Sequence, residues 1–315
     1  MALKTADIAA TLKPTLYDLF DASWDENAKK SQYSQFCKVE DSQDAYEDIL
    51  QYQGPDSIPQ AAEGSVFERI EIDNVRSKRF THLIYKAEIK ITKEALMDTK
   101  YRQIADAVKM LSRAGSRTIE RLAAGVLYNA LPGGSELSPD GVTAFNGTHS
   151  FSNPLAGNPT SGSNAGTGQL TTAVVRLMRA EGRKTRDEHG SLAPVNLTRL
   201  IVPPDLEDEA NVLKESALRP GTTNNDKNIT GSGIKEIVVA DFLAEAPANA
   251  STMWFMQDPD AHRLMMFWRQ RPQRAMLHEE ASDDHLFRLY FRCSFGYADW
   301  RGNYASTGTG STSAL

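Results

Sequence analysis

The longest regular hydrophobic pattern in the chain covers residues 92–131. Apolar or small residues recur there at spacings of three and four, which is typical of one face of a helix. They are Met97, Tyr101, Ile104, Val108, Leu111, Gly115, Ile119, Leu122 and Val126. A single helix of this length would measure roughly 58 Å at 1.5 Å per residue, whereas a mean helix has about three turns. We therefore predict one long helix that serves contacts beyond its own subunit and ends before Pro132.

A β-hairpin is predicted directly before this helix. Ile70 and Ile72 alternate with acidic residues, a polar turn follows at about 74–78, and apolar and polar residues alternate across 82–91. Alternation with a period of two is the pattern of a half-buried strand. Because an isolated two-stranded hairpin is only marginally stable in water, its apolar face needs a partner.

The first 52 residues are polar but contain scattered aromatic residues, among them Tyr17, Phe20 and Trp24. Aromatic residues are depleted in disordered segments, so we expect an arm that packs against other protein, with a short helix around Leu16. A disordered tail is the alternative. Nothing in this segment predicts a core of its own.

The second half of the chain predicts a mixture of strands and helices. A loop-rich excursion, 132–168, precedes a helix at 169–186, and short strands then alternate with a helix before the end of the chain. The predicted strands are 197–202, 236–242, 253–257, 263–268 and 286–295, the helix is 205–216, and a turn at 258–260 joins two of the strands. The Ser/Thr/Gly-rich tail from Ala305 is expected to fray.

Composition narrows the class of protein. The chain has 315 residues, 40% of them hydrophobic and 24% charged, with a net charge of −6, which fits a globular protein and argues against tight nucleic-acid binding. Only Cys37 and Cys293 are present, which fits a reducing compartment, although one disulfide stays open. The start resembles no signal peptide and no segment has the roughly 20 apolar residues of a membrane span. We expect synthesis in the cytoplasm and no membrane association.

Several short segments could indicate catalysis or ligand binding. Residues 231–235 contain two glycines and a lysine, but the spacing fails the phosphate-loop rule and a strand follows, so a turn is the better interpretation. His278 and His285 lie among four carboxylates, where solvation and capping explain the residues more simply than a metal does. His149 has no recognisable nucleophile or base beside it in sequence and is expected to be a hydrogen-bonding loop residue.

Basic residues form two groups. Arg269, Arg271 and Arg274 near Trp268 suggest either a weak nucleic-acid patch or ion pairs between subunits. The long helix carries a surplus of three positive charges, which a solvated face explains. These charges are Lys93, Lys100, Arg102, Lys109, Arg113, Arg117 and Arg121 against Glu94, Asp98, Asp106 and Glu120. No residues form a catalytic triad, a metal site or a cofactor fingerprint, so we predict no catalytic, metal-binding or cofactor-binding residues and no enzyme activity.

The order of the segments resembles the major capsid proteins of tailed phages, and more narrowly the major head subunit of Mu-like phages. The resemblance covers nearly the whole chain and is weakest in residues 1–50 and 210–250. Its motifs are 67–70 with 80–92, the segment 145–154 beginning Phe145-Asn146-Gly147, the strand-to-helix segment 196–209, and the ending 295–302.

The resemblance implies an α+β fold of the Hong Kong 97 type. It assigns 1–52 to an N-terminal arm, 53–91 to an extended β-hairpin loop and 92–170 to a peripheral domain with the spine helix 92–131. Residues 171–281 would form an axial domain, with 219–233 nearest a symmetry axis, and 282–315 a strand that returns to the peripheral domain and a tail. Some relatives cross-link through a lysine of the extended loop, but no motif selects Lys78, Lys86 or Lys90.

The resemblance further implies a homo-oligomeric icosahedral shell of pentamers and hexamers that encloses double-stranded DNA without sequence-specific binding. A scaffolding protein and a portal are the implied partners, and a decoration protein stays open. The location would be the virion, with the host cytoplasm during assembly. Basic residues such as Arg113 and Arg117 of the spine helix could then line the inner face. The alternatives are an encapsulin-like compartment that encloses cargo protein, and a cytoplasmic α/β enzyme that uses His149 or the His278–His285 cluster.

Overall fold

The computed structural model describes residues 5–55, 57–58, 60–64, 66–67, 69, 72–98, 100–220, 227–280 and 282–310, and combines helices with two main sheets. The α-helices are α1 (Thr5–Lys29), α2 (Tyr33–Phe36), α3 (Lys93–Met97), α4 (Tyr101–Asn129), α5 (Thr172–Arg183) and α6 (Glu207–Glu215). The strands are β1 (Lys38–Asp41), β2 (Tyr46–Gln53), β3 (Asp73–Thr81), β4 (Leu83–Ile91), β5 (His149–Ser150), β6 (Ser161–Gly162), β7 (Ala165–Gly166), β8 (Arg199–Val202), β9 (Glu236–Val239), β10 (Trp254–Gln257), β11 (Arg263–Glu279), β12 (Asp284–Asp299) and β13 (Asn303–Ser306).

The first main sheet has the strand order β1-β11-β12-β4. Its centre is the long antiparallel pair β11–β12, while β1 joins β11 in parallel and β4 joins β12 antiparallel. Phe287, Leu289 and Phe291 alternate along β12 and are buried in the same core as Val108 and Ile119 of α4. One face of this sheet therefore packs against the long helix.

The second main sheet has the order β7-β13-β10-β8-β9 and a core of its own. Trp254 of β10 is fully buried there together with Val174 and Met178 of α5. The side chain of Thr171 caps the N-terminus of α5 by accepting from the backbone N–H of Val174, at 3.3 Å. The predicted strand at 197–202 and the helices at 169–186 and 205–216 are confirmed, with shorter bounds.

The predicted single helix over 92–131 is wrong in its continuity. The structure has a short α3 and a 29-residue α4, separated around Asp98 and Lys100; Thr99 lies outside the described residues. At 1.5 Å per residue α4 measures about 43 Å. Residues 98–100 are all polar, so they add nothing to the apolar stripe, and packing gives the backbone no reason to stay helical there.

The predicted hairpin is also corrected. The supposed turn at 74–78 lies inside β3, whose antiparallel partner is β2 from the N-terminal arm, while β4 pairs with β12 instead. The apolar residues of β4 thus find their partner in the main sheet, and the hairpin consists of β2 and β3 with residues 54–72 as its connection. Ile70 lies outside the described residues. Residues 221–226 of the predicted axial loop 219–233 lie outside them as well.

The N-terminal arm packs against the body, as predicted, but its helix is much longer than expected. Leu16 and Phe20 of α1 are 2% exposed and belong to the core that contains α4 and β12. The tail prediction is wrong for Ala305 to Gly310, because Ala305 and Ser306 are buried in β13 and the backbone N–H of Gly310 donates to the carbonyl of Thr167. The residues after Gly310 lie outside the described residues.

Two expectations from composition can be compared with the structure. Cys37 and Cys293 are both free and buried, so the open disulfide interpretation is wrong. Among the described residues, no helix is both long enough and apolar enough to cross a bilayer.

Candidate assembly surface

The β2–β3 hairpin exposes apolar side chains that no part of the described chain covers. Phe67 is fully exposed, and six other large apolar residues of this segment are between 40% and 93% exposed. They are Tyr46, Leu50, Tyr52, Ile58, Val66 and Ile72. Burying a side chain of this size from water is worth about 1.5–3 kcal/mol, and contiguous exposed apolar surface marks a contact site. The hairpin therefore has the composition of a surface that another protein covers.

One arginine of β3 holds the hairpin to the body near the end where the connection 54–72 joins the two strands. Arg76 donates from Nη2 to the carbonyl of Ser150 (2.6 Å) and from Nε to Oγ of Ser152 (2.8 Å). Its guanidinium also lies 3.7 Å from a carboxylate oxygen of Asp140 and 3.6 Å from one of Glu188. All three charged side chains are nearly buried. Arg76 thus fixes the angle at which the hairpin leaves the body.

Two further contacts support the same junction. Lys78 Nζ donates to the carbonyl of Leu137 (2.6 Å) and to a carboxylate oxygen of Glu136 (3.2 Å). On the other side, Nε2 of His189 lies 3.1 Å from the carbonyl oxygen of Gly54. Both strands of the hairpin are therefore held to the body near the connection 54–72, while its apolar residues remain exposed.

His149 is a structural residue, as the sequence predicted. The ring is completely buried, with Nδ1 2.5 Å from Asp140 Oδ2 and Nε2 2.9 Å from Asn164 Oδ1, and it stacks on Trp300 at 4.3 Å. Burial by itself would raise the pKa of Asp140, yet the hydrogen bond and charge of His149, together with Arg76, hold this pKa below its usual range. The arrangement supports the loop that receives the hairpin and leaves no room for a substrate.

The histidine and carboxylate cluster lies at the turn between β11 and β12, not in a loop before one strand. His278 and His285 are cross-strand partners, and the neighbouring carboxylates pair with lysines: Asp284 with Lys90 at 2.8 Å, and Asp283 with Lys93. Bonds from Lys90 lower the pKa of Asp284 to about 2. Across the part of the chain that the structure describes, no three His, Cys, Asp or Glu side chains converge as metal ligands.

The remaining sequence candidates also occupy structural positions. Residues 231–233 form a 3-10 turn before β9, in which Gly231 is buried, as expected for a turn. Arg271 makes a two-pronged ion pair with Asp41 (3.0 and 2.8 Å), and Arg274 pairs with Asp21, so both are paired within their own chain and not between subunits. Arg269 lies in β11, where its buried Nε has no hydrogen-bond partner among the described residues.

Sequence reasoning missed the residues that matter most for this surface. The sequence pattern placed Arg76 in a turn and gave no signal for Glu188 or Arg301. In the structure Arg301 donates a hydrogen bond to Glu188 at 2.9 Å. These residues lie 112 to 225 positions apart, so no local spacing connects them. An unusually buried arginine can be found only when the fold places it.

The chain combines a long hairpin with an uncovered apolar surface, a long helix under one sheet, and a second sheet with its own core. Together these features define a subunit built to join other subunits. The family comparison agrees. Residues 78–306 match the family model described as phage capsid protein, which is well over half of the chain. The chain belongs to this phage capsid protein family and is a component of the virion shell.

Solved structures show the same fold at low sequence identity. The virus-like particle of Pyrococcus furiosus matches with a TM-score of 0.52 and 11% identity, over 92% of this chain and 98% of that one. The Microbacterium phage Oxtober96 structure matches with a TM-score of 0.50 and 8% identity, over 88% and 90%. The procapsid of bacteriophage JBD30 matches with a TM-score of 0.48 and 13% identity, over 94% and 75%. Among curated protein sequences, none matches this chain. The fold is the Hong Kong 97-type capsid fold that the sequence predicted.

Proposed function

We propose that this chain is the major head subunit of a tailed phage, of the Mu-like kind, and that pentamers and hexamers of it tile a closed icosahedral shell around double-stranded DNA. The observation that carries the proposal is the apolar hairpin surface on a chain whose family forms phage capsids. The exposed side chains of Tyr52 and Phe67 need a partner, and a second copy of the same chain supplies one at every position of a shell.

The proposed role is structural and involves no catalysis. Assembly would occur in the host cytoplasm with a scaffolding protein and a portal, and a decoration protein would bind afterwards if the phage has one. Many weak contacts per subunit add up in a closed shell, because each new subunit is held by several neighbours at once. The domain limits from the sequence, with 1–52 as arm, 53–91 as extended loop and 171–281 as axial domain, belong to this proposal.

Neither alternative function gains support. An encapsulin-like compartment has the same fold, but the family match is to phage capsid proteins. An α/β enzyme would need His149 or the His278–His285 cluster, and these residues are engaged in structural contacts. The shell is therefore the function that the geometry supports best.

The test replaces apolar residues of the hairpin and follows assembly. The chain is expressed with its scaffolding protein, and electron microscopy counts closed shells for the wild type and for the double variant Tyr52→Ser with Phe67→Ser. We expect the variant to lose shells by at least about tenfold, because each side chain would bury an area worth roughly 1.5–3 kcal/mol in every contact, while its circular dichroism stays that of the wild type.

The matched control is the double variant Leu155→Ser with Leu192→Ser. These side chains are 43% and 61% exposed and belong to body loops beside the hairpin, not to the hairpin itself, so shells should form normally. Shells of the hairpin variant in wild-type numbers would contradict the proposal.

A further inference from the structure

The helix α4 carries a row of positive charges at every fourth position: Lys109, Arg113, Arg117 and Arg121. Like charges four residues apart on a helix repel each other and cost stability. Arg121 is compensated by two hydrogen bonds to Glu245, at 2.6 and 2.8 Å. Within the described ranges, the other three cations make no hydrogen bond or ion pair. The charges of Lys109 and Arg113 help to lower the pKa of Glu26 in α1, so this carboxylate offsets part of their repulsion. Neither cation bonds to it, so the row keeps N–H donors for an external anion.

A cleft of about 660 Å³ opens beside this row, between the end of α1 and the middle of α4. Its apolar lining includes Trp24, Tyr33 and Trp268, and its charged lining consists of Arg113 and Arg117 with two further cations, Lys30 and Arg271, and one carboxyl group. Lys30 is already paired with Glu26 and Arg271 with Asp41, so Arg113 and Arg117 are the cations of this cleft that have no direct partner among the described residues.

The single carboxyl group of the cleft opposes an anion only weakly. The two carboxylate oxygens of Glu120 accept the backbone N–H groups of Gln32 (2.9 Å) and Tyr33 (3.1 Å). Burial raises the pKa of Glu120 to about 7, although these two bonds act in the opposite direction, so the group is partly neutral near neutral pH. In addition, Nδ2 of Asn27 lines the cleft as a buried donor without a partner among the described residues.

The spacing of the row fits the DNA backbone. Four residues advance a helix by about 6 Å, so Lys109, Arg113 and Arg117 extend over about 12 Å. One strand of B-DNA carries one phosphate for every 3.4 Å of helix axis, so three to four of its phosphates lie within this length measured along the axis. The anion with regularly repeated charges over such a distance is a phosphodiester backbone.

We infer that Lys109, Arg113 and Arg117, with the adjoining cleft, bind the phosphate backbone of double-stranded DNA without recognising its sequence. The inference rests on the proposed function, which places DNA inside the shell. Three phosphate contacts give a salt slope of about −2.7, and affinity then falls roughly 40-fold between 50 and 200 mM salt. Contacts of this strength order the outermost DNA and still allow it to leave.

The test measures this slope with the full-length unassembled subunit and a fluorescent 24-base-pair DNA of random sequence. Fluorescence anisotropy gives the dissociation constant at salt concentrations from 25 to 200 mM. We expect the double variant Arg113→Gln with Arg117→Gln to reduce the slope by about 1.8, since each lost phosphate contact removes about 0.9. Gln is nearly as good a helix former as Arg, so circular dichroism should not change.

The matched control removes two positive charges from the sheet face that points away from α4. Lys86 of β4 and Arg288 of β12 project there, as partners of Tyr290 and Glu88, and the variant Lys86→Gln with Arg288→Gln should keep the wild-type slope. An equal slope for all three proteins, or an equal reduction in both variants, would overturn the inference.

Shell formation by the same variants separates this inference from the proposed function. The cleft variant should still assemble, as counted by electron microscopy. If it fails to assemble but keeps the wild-type slope, the row contacts a second copy of the chain instead of DNA, and the inference is wrong while the shell proposal stands.

Discussion

Gly115 shows how closely three elements meet in the core. A Cβ atom at this position would lie 2.7 Å from a methyl carbon of Leu289 in β12 and 2.9 Å from the ring of Trp24 in α1. Both distances are shorter than real contacts allow. Glycine costs about 1 kcal/mol relative to alanine inside a helix. At this position the missing side chain allows α1 and the sheet to approach α4 together.

Two glycines of the same helix provide a matched prediction. Gly115→Ala should lower the free energy of unfolding by about 1 kcal/mol, because overpacking costs about 1–3 kcal/mol and exceeds the gain in helix propensity. Gly125→Ala should raise it by about 0.5–1 kcal/mol, since its nearest new neighbour, the hydroxyl of Tyr128, is 3.5 Å away. Urea denaturation of the unassembled subunit measures both. Equal effects of the two substitutions would refute the packing argument.

At the scale of elements, the position of the hairpin on the body depends on the contacts of Arg76. Arg76 joins β3 to the loop around Ser150 and lies between Asp140 and Glu188. Since its partners are nearly buried carboxylates, loss of the arginine leaves negative charges without compensation, and breaking such pairs costs about 3–5 kcal/mol. The hairpin should therefore loosen before the rest of the molecule does.

Hydrogen exchange tests this expectation on one strand. Arg76→Ala should raise amide exchange at least about tenfold in β3 and leave α4 unchanged, because each 1.4 kcal/mol of lost local stability increases opening tenfold. The control is Arg79→Ala in the same strand, where the bidentate pair with Asp48 is exposed to solvent and contributes little to stability. Equal exchange in both variants would show that Arg76 does not anchor the hairpin.

At the scale of the whole molecule, residues 5–53 fold together with the rest of the chain. The helix α1 packs on α4, β1 extends the first main sheet and β2 supplies half of the hairpin. The turn between α1 and α2 is held by Glu120, which accepts the N–H groups of Gln32 and Tyr33. Folding of the arm and of the body is therefore coupled through this carboxyl group.

This coupling predicts a pH dependence of folding. The pKa of Glu120 in the folded chain is about 7, above its ordinary value of 4.5, mainly because of burial. The folded state thus binds more protons between these values, so the stabilisation from this group is complete below about pH 4.5 and is lost as the pH rises through 7.

The comparison of the wild type with Glu120→Gln isolates this group from all others. Between pH 5 and 7.5 the unfolding free energy of the wild type should fall relative to that of the variant, as urea denaturation at each pH measures. A difference between the two proteins that stays constant across this range would exclude Glu120 as the source.

The sequence by itself determined the class of the fold through the family resemblance of its motifs. It also determined most elements of the second half, because hydrophobic periodicity fixes which residues face a core. It also showed that His149 and the residues 231–233 are structural. The tertiary structure alone decided the partner of each strand. Strand β3 pairs with β2, β4 pairs with β12, and Arg76 lies between two distant carboxylates. Periodicity records only that a residue needs burial, whereas pairing depends on which distant surface offers the matching hydrogen bonds and charge.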